Sequence, residues 1–269
     1  MITSIVLSVR EGLEAALIIG IVLGALRRTG RTDLNRPLWA GVISAIIVSL
    51  LTALLLRAID KELEGPAEQV FEGVTLLLAA GVLTWMIFWM RHQSGSMKSK
   101  LENSVNRAAK LGGGGALYFL AFIAVVREGI ELVLYLTAAS LTSSSVQTLL
   151  GTIIGLLSAC LLGYLIYSST IRLNLQRFFK VTGLILILFA AGLIAHSIAE
   201  FNEAGLIPAI ISPIWNLNSL LNDHSIVGMI FSTLFGYHGN PSLTEALGYS
   251  GYMLITLFVF IKARNLHEG

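Results

Sequence analysis

The sequence predicts an all-α polytopic membrane protein with seven transmembrane helices, built as a 3+3 inverted repeat plus one C-terminal helix. Hydrophobic residues make up 55% of the chain and charged residues 13%, and the mean hydropathy of +0.79 is too high for an ordinary soluble domain. Apolar runs close to the ~20 residues that a helix needs to cross a bilayer fill most of the chain. The motif Arg-Glu-Gly-x-Glu occurs twice within these runs, at residues 10–14 and 127–131.

Seven apolar runs separated by more polar segments give the helix assignment. The first run lacks the basic start of a cleavable signal peptide, so we expect it to be a true first span. The predicted helices cover residues 2–26, 37–58, 69–91, 114–139, 146–168, 179–200 and 249–263. The chain then divides into a first repeat with a cytoplasmic linker, a second repeat, an extracytoplasmic segment, and a last helix with its tail, at residues 1–111, 112–200, 201–248 and 249–269.

The distribution of Lys and Arg predicts the orientation of the helices. Basic residues are concentrated in the loops after the first, third and fifth predicted helices and in the C-terminal tail. The loops on the opposite side contain only Arg57 and Lys61. Because cytoplasmic loops carry the excess of Lys and Arg, we expect the N-terminus outside and the C-terminus in the cytoplasm.

Sequence similarity between helices one to three and helices four to six indicates an internal repeat. A copy of the motif lies in the first helix of each half, Gln69-Val70-Phe71 lies at the start of the third helix, and the similar Gln176-Arg177-Phe178 lies directly before the sixth. Each half has an odd number of helices, so the two halves face opposite ways in the membrane. Inverted repeats of this kind are typical of secondary transporters, whose substrate sites lie near the bilayer midplane.

The spacing within each motif places its charged residues together. Residues three and four apart share one face of a helix, so Glu11 and Glu14 point the same way and Arg10 can pair with Glu14. Arg10 lies ~12 Å along the first helix at 1.5 Å per residue, which is close to mid-membrane. The second motif repeats this arrangement from the opposite side with Arg127, Glu128 and Glu131.

Charge counting indicates that the motifs bind something positive. An internal salt bridge neutralises one glutamate per motif, which leaves each motif at −1 and the pair at −2. Ionisable groups at this depth cost about 2.5–3.5 kcal/mol each before pairing, and they usually serve a substrate, an ion or a proton path. Carboxylates are hard ligands suited to iron, manganese, magnesium or calcium. The methionines and histidines lie away from the motifs in the sequence, which argues against copper and zinc. The residues alone leave the cation open.

Several short segments resemble one known family, the oxidase-dependent iron transporters, which include the fungal high-affinity iron permease and the bacterial Efe-type iron permease. The resemblance covers nearly the whole chain and is closest to the bacterial branch. Beside the two motifs, it rests on Phe71-Glu72-Gly73, Trp85-Met86, Phe88-Trp89-Met90-Arg91, Arg172-Leu173-Asn174-Leu175, Ala190-Ala191-Gly192-Leu193, Glu203-Ala204-Gly205-Leu206 and Phe235-Gly236-Tyr237.

The resemblance implies a permease, not an enzyme, that imports Fe²⁺ or Fe³⁺ across the cytoplasmic (inner) membrane, with iron as substrate and no cofactor. It assigns iron binding to the motif glutamates, with the two motif arginines as charge partners. The expected partners are a separate periplasmic iron-binding protein and a haem peroxidase or ferroxidase, and we expect no nucleic-acid binding. Two alternatives stay open: a transporter of another hard divalent cation such as manganese, and a non-transporting membrane scaffold. The glutamates concerned are Glu11, Glu14, Glu128 and Glu131.

Further acidic residues are candidates for iron binding outside the motifs. Glu72, near the outer end of the third helix, is either a ligand from a third helix, an access site for iron, or an interfacial charge; the Phe-Glu-Gly resemblance favours a functional role. His196, Glu200 and Glu203 form a helical stripe at the outer end of the sixth helix. The stripe either captures metal from a partner or is a solvated helix end, and the second interpretation is favoured.

Two predictions concern residues without charge. Trp85 and Trp89, with the methionines beside them, are expected to be an interfacial aromatic anchor and packing. The apolar stretches 206–215 and 226–235 are too short to span comfortably, so we expect interfacial or re-entrant helices there.

Overall fold

In the computed structural model the chain is helical along most of its described length. The structure describes residues 1–93, 113–141, 144–168, 175–217, 225, 228, 231–232 and 236–265. Within these residues there are seven α-helices, one short 3-10 helix (Thr32–Leu34) and no β-strand. The α-helices are α1 (Ile2–Arg28), α2 (Asn35–Glu62), α3 (Pro66–Gln93), α4 (Gly113–Leu141), α5 (Ser145–Tyr167), α6 (Leu175–Glu203) and α7 (Leu243–Asn265). All seven predicted helices are confirmed, and the largest difference in a helix start is at α7, which begins at residue 243 instead of 249.

Five of these helices are long and apolar enough to cross a membrane: α2, α3, α5, α6 and α7. Their outward faces carry large exposed apolar side chains, such as Leu54 on α2, Leu157 on α5 and Phe258 on α7. Such a surface is unsuited to water and suited to lipid. The two remaining helices, α1 and α4, each carry the three ionisable residues of one motif in their interior.

The motif helices α1 and α4 lie at the centre of the bundle and contact each other. α1 packs along α5, α4 packs along α2, α3 packs along α6, and α7 packs on α6. One apolar core joins α1, α3, α4 and α6 and includes Leu7, Leu83 and Leu186. A second core joins α1, α2 and α4 and includes Leu26 and Leu38.

Glycines allow α5 to approach α1 closely. A Cβ added at Gly155 would lie 2.6 Å from the Cβ of Ser8, and one at Gly163 would lie 2.6 Å from the Cβ of Ala16. Both distances are far below normal contact, so any side chain there would push the helices apart. Gly151 and Gly155, four residues apart on α5, thus form a smooth face against α1, whereas Gly24 on α1 faces open space.

The prediction of an interfacial or re-entrant helix at 206–215 is wrong. This segment consists of turns, bends and irregular backbone. Gly205, with φ of 73°, follows the end of α6, and two prolines in the segment remove backbone donors that a helix would need. The N–H groups of Ile214 and Leu217 instead donate to the carbonyls of Pro241 and Gly239. The second predicted stretch, 226–235, falls largely outside the described residues.

The segment before α7 is fixed to the end of α6. The amide nitrogen of Asn202 donates to the hydroxyl of Ser242 at 2.9 Å and to that of Thr244 at 3.1 Å. Gly236, with φ of 65°, approaches the backbone of Gly192 so closely that no side chain fits between them. These contacts hold the described part of this segment against one end of the bundle.

Candidate metal site between the two motif helices

The two motifs meet where α1 crosses α4. One carboxylate oxygen from each of Glu11, Glu128 and Glu131 lies within 4.8 Å of the others, and all three residues are buried. We refer to these three residues as the motif site. Glu14, the fourth ligand expected from the family resemblance, is also buried, one turn further along α1, and lies outside this group.

Each motif arginine pairs with glutamates of its own helix. Arg127 Nε donates to Glu131 Oε1 at 2.9 Å, and Arg10 Nη2 lies 3.6 Å from Glu14 Oε1. The predicted i,i+4 pairs are therefore present in both motifs. Arg10 Nη1 also donates to Glu11 Oε1 at 3.0 Å. Helical spacing did not indicate this last pair, because adjacent residues on a helix point about 100° apart.

Several carboxylate oxygens of the motif site have no hydrogen-bond partner in the part of the chain that the structure describes. Two guanidinium groups face four carboxylates, and the arginines bond to only part of the carboxylate oxygens. Oε2 of Glu11, Glu128 and Glu131 is buried and has no hydrogen-bond partner among the described residues. Leaving a buried charged acceptor unpaired is costly. The arrangement is consequently suited to a cation that would accept these lone pairs.

Side chains of helix α3 contact both motif arginines. Arg10 Nη2 lies 3.1 Å from Met90 Sδ, and the guanidinium carbon of Arg127 lies 4.6 Å from the ring centre of Trp89 and 5.6 Å from that of Trp85. The sequence-based view that no methionine falls near the motifs is wrong for Met90, because distance along the chain does not reflect helix packing. The two tryptophans also cover a motif arginine, a contact that the prediction of an interfacial anchor did not include.

The motif glycines are contact points for helices of the other half. A Cβ at Gly12 would lie 2.8 Å from the Cβ of Ala159 on α5, and one at Gly129 would lie 2.9 Å from the Cβ of Ser49 on α2. A larger residue in either motif would displace the glutamates beside it. The glycine in each motif therefore sets how closely α5 and α2 approach the site.

Tyr135 is a site residue that the sequence analysis missed. Its side chain is completely buried, four residues after Glu131 on α4, and its hydroxyl has no hydrogen-bond partner in the described part of the chain. It interacts electrostatically with Glu11, Glu131, Glu128 and Arg10. The signal in the sequence was its i+4 spacing from Glu131, which puts it on the same helix face.

The further acidic candidates form a separate group. Glu72 on α3 and Glu200 on α6 share a side-chain hydrogen bond, and Glu203 accepts one from Gln69 at 3.3 Å. We call Glu72, Glu200 and Glu203 the α3–α6 acidic cluster. The structure does not bring Glu72 into the motif site, because it lies in the second turn of α3, ~27 Å along the helix axis from Met90 at 1.5 Å per residue. His196 bonds through Nδ1 to the carbonyl of Gly192 on its own helix.

The chain is similar to known proteins over its whole length. Residues 1–269 match the family described as the iron permease FTR1 family. The chain is 36% identical over 263 residues to the ferrous iron permease EfeU of Escherichia coli O6:K15:H31 (strain 536), covering 97% of this chain and 95% of the relative. The ferrous iron permease EfeU of Yersinia pestis is 36% identical over 253 residues, or 93% of this chain and 90% of the relative. No solved structure matches the chain.

Proposed function

Because the chain belongs to the iron permease FTR1 family, we propose that it imports iron across the cytoplasmic membrane through the motif site. Membership in a permease family makes the protein a multi-pass membrane transporter and not an enzyme, with iron as its substrate and not as a cofactor. The relatives named ferrous iron permease favour Fe²⁺ as the species that enters the site.

The convergence of three buried glutamates from two helices carries this proposal. Their unpartnered oxygens are hard ligands of the kind that iron accepts. With all four motif glutamates ionised and both arginines charged, the two motifs carry a net charge of −2. One divalent cation neutralises this charge, whereas a trivalent cation leaves an uncompensated positive charge in a buried position. Charge balance therefore also favours Fe²⁺ over Fe³⁺.

The pattern of helix contacts supports transport by alternating access. In the proposed repeat, α1 corresponds to α4 and α2 corresponds to α5. The contact of α1 with α5 is therefore equivalent to the contact of α4 with α2, and both contacts are present. This symmetry supports a repeat of two three-helix halves. Together with the orientation predicted from the Lys and Arg distribution, it favours an inverted repeat whose halves rock around a central site. Cysteines introduced between the motif site and either end of the bundle would then change accessibility when iron binds. Identical labelling with and without iron would contradict rocking.

The α3–α6 acidic cluster is placed to collect cations before they reach the motif site. Glu203 is exposed and Glu72 and Glu200 are partly exposed, so a hydrated cation can reach them. In the proposed orientation this cluster faces the outside of the cell. The same side would receive iron from a separate periplasmic iron-binding protein working with a haem peroxidase or ferroxidase, as the family resemblance implies.

Radioactive iron uptake tests the central proposal. Glu14→Gln and Glu131→Gln each remove one negative charge from the motifs with little change in shape, so we expect at least a tenfold loss of uptake by proteoliposomes. Glu64→Gln, at an exposed position between α2 and α3, is the matched control and should transport normally. Full uptake by both motif variants, at normal expression, would refute the proposal.

Two further measurements separate the alternatives. If manganese or another hard divalent cation were the natural substrate, an excess of it would compete with iron uptake more strongly than unlabelled iron does. If the protein were a scaffold, neither the wild type nor the variants would take up iron. Charge-neutral replacement of the motif glutamates would then leave the cellular role of the protein intact.

A further inference from the structure

Tyr135 occupies an unusual position for a tyrosine. Its side chain is 0% exposed, and it belongs to the apolar core that includes Leu7, Leu83 and Leu186. In the described part of the chain its hydroxyl has no hydrogen-bond partner. Tyr252 shows the ordinary arrangement, because its hydroxyl lies 2.7 Å from that of Thr84. A buried tyrosine hydroxyl normally finds such a partner.

An unpartnered hydroxyl at this position destabilises the unloaded protein. A buried polar group that has lost its water and gained no hydrogen bond lowers the stability of the folded state. Phenylalanine would fill the same space in the apolar core without that cost. The hydroxyl of Tyr135 is therefore unexplained by packing, and its presence calls for an interaction that the described residues do not provide.

The charged groups around Tyr135 identify that interaction. Those that interact with it electrostatically are Glu11, Glu131, Arg10 and Glu128, all of them motif residues. Tyr135 follows Glu131 by one helical turn, so the two side chains extend from the same face of α4. Tyr135 therefore lies on the face of α4 that carries Glu131, within electrostatic range of motif residues on both α1 and α4.

We propose that the Tyr135 hydroxyl is a further oxygen ligand of the transported cation, which it binds as a neutral group beside Glu11, Glu128 and Glu131. This inference rests on the proposed function. A neutral hydroxyl adds a hard oxygen donor without adding charge. The net charge of −2 on the two motifs therefore still equals the charge that a divalent cation neutralises. Binding of the cation would satisfy the hydroxyl that is unpartnered in the unloaded protein.

The variant Tyr135→Phe separates this role from a structural one. We expect the unloaded variant in detergent to unfold at the same temperature as the wild type or a higher one, since the removed hydroxyl makes no bond. Under anaerobic conditions we expect Fe²⁺ to bind at least tenfold more weakly and to raise the unfolding temperature less than in the wild type.

Tyr252→Phe is the matched control, because it removes a hydroxyl that has a partner outside the motif site. It should lower the unfolding temperature of the unloaded protein and leave Fe²⁺ binding unchanged. If Tyr135→Phe behaved in the same way, or failed to fold, the hydroxyl would be stabilising the unloaded structure and the inference would be wrong. Unchanged Fe²⁺ affinity in a stable Tyr135→Phe protein would also overturn it.

Failure of this inference is distinguishable from failure of the proposed function. If Glu131→Gln abolishes Fe²⁺ binding and Tyr135→Phe does not alter it, the motif site binds iron and Tyr135 is not a ligand. If Fe²⁺ binds equally to the wild type, Glu131→Gln and Tyr135→Phe, the motif site itself is not where iron binds, and both ideas are refuted.

Discussion

The close packing of α1 on α5 predicts that Gly12→Ala disturbs the protein at the first motif. The added Cβ would lie 2.8 Å from the Cβ of Ala159 and 3.2 Å from Cδ2 of Leu156. Carbon atoms prefer a separation of about 3.5–4.0 Å, so the two helices must move apart by about 1 Å at this point. This shift would move Glu11, the residue before Gly12, away from its partners in the motif site.

The magnitude follows from two opposing effects. Overpacking of this kind costs about 1–3 kcal/mol. Alanine favours a helix over glycine by about 1 kcal/mol. We therefore expect Gly12→Ala to lower the free energy of unfolding by about 1 kcal/mol and to reduce iron uptake.

A compensating change makes this prediction specific. In the double variant Gly12→Ala with Ala159→Gly, the methyl group moves from one helix to the other and the contact is restored. The helix preferences then cancel, and we expect stability close to that of the wild type. A double-mutant cycle measured by thermal unfolding in detergent should give a coupling of about 1–3 kcal/mol between these two positions.

Gly24→Ala provides the control, because a Cβ at Gly24 meets nothing within 4 Å. It should be as stable as the wild type or slightly more stable, and it should transport iron normally. The reasoning would be refuted if the double variant were no more stable than Gly12→Ala, or if Gly12→Ala unfolded at the same temperature as Gly24→Ala.

Three other changes test contacts around the site. Trp89→Leu removes the ring over Arg127, an interaction worth about 0.5–2 kcal/mol, and should lower iron uptake; uptake equal to the wild type would show that the ring does not position the arginine. Ser197→Ala leaves the buried carbonyl of Gly73 without its 2.8 Å hydrogen bond, so thermal unfolding should reveal a loss of about 1 kcal/mol, and an unchanged midpoint would contradict this. Asn202→Ala removes the hydrogen bonds to Ser242 and Thr244, so limited proteolysis before α7 should become faster. An unaltered digestion rate would show that these bonds do not hold the start of α7.

The helices could be predicted from the sequence because their signals are local. Length and hydropathy identify each apolar run without reference to its neighbours. The start of α7 was placed six residues late because its first turns are polar. A capping box was present there, in which Ser242 N–H donates to Glu245 Oε1 at 3.0 Å and Glu245 N–H donates to Ser242 Oγ at 3.3 Å. This capping box marks the start of α7 at Leu243.

The site could be predicted only in part, since packing decides the rest. Motif spacing and depth indicated that the glutamates of α1 and α4 approach each other. The contacts of the motif residues with Met90, Trp89 and Tyr135 depend on how α3 and α4 are oriented toward α1. This orientation cannot be predicted from the sequence of any one helix. The choice of Glu11 over Glu14 for the motif site likewise depends on side-chain directions across two helices.

The glycine contacts of the motif helices have a consequence for how this protein is assembled. The helix that carries each motif rests on the second helix of the opposite half: Gly12 on Ala159 and Gly129 on Ser49. Neither half can complete its own packing, so a fragment ending after α3 would expose the face of α1 that α5 covers. If the chain is expressed as two fragments, one ending after α3 and the other beginning at α4, the fragments should be recovered only as a complex. The intact chain should unfold in a single transition.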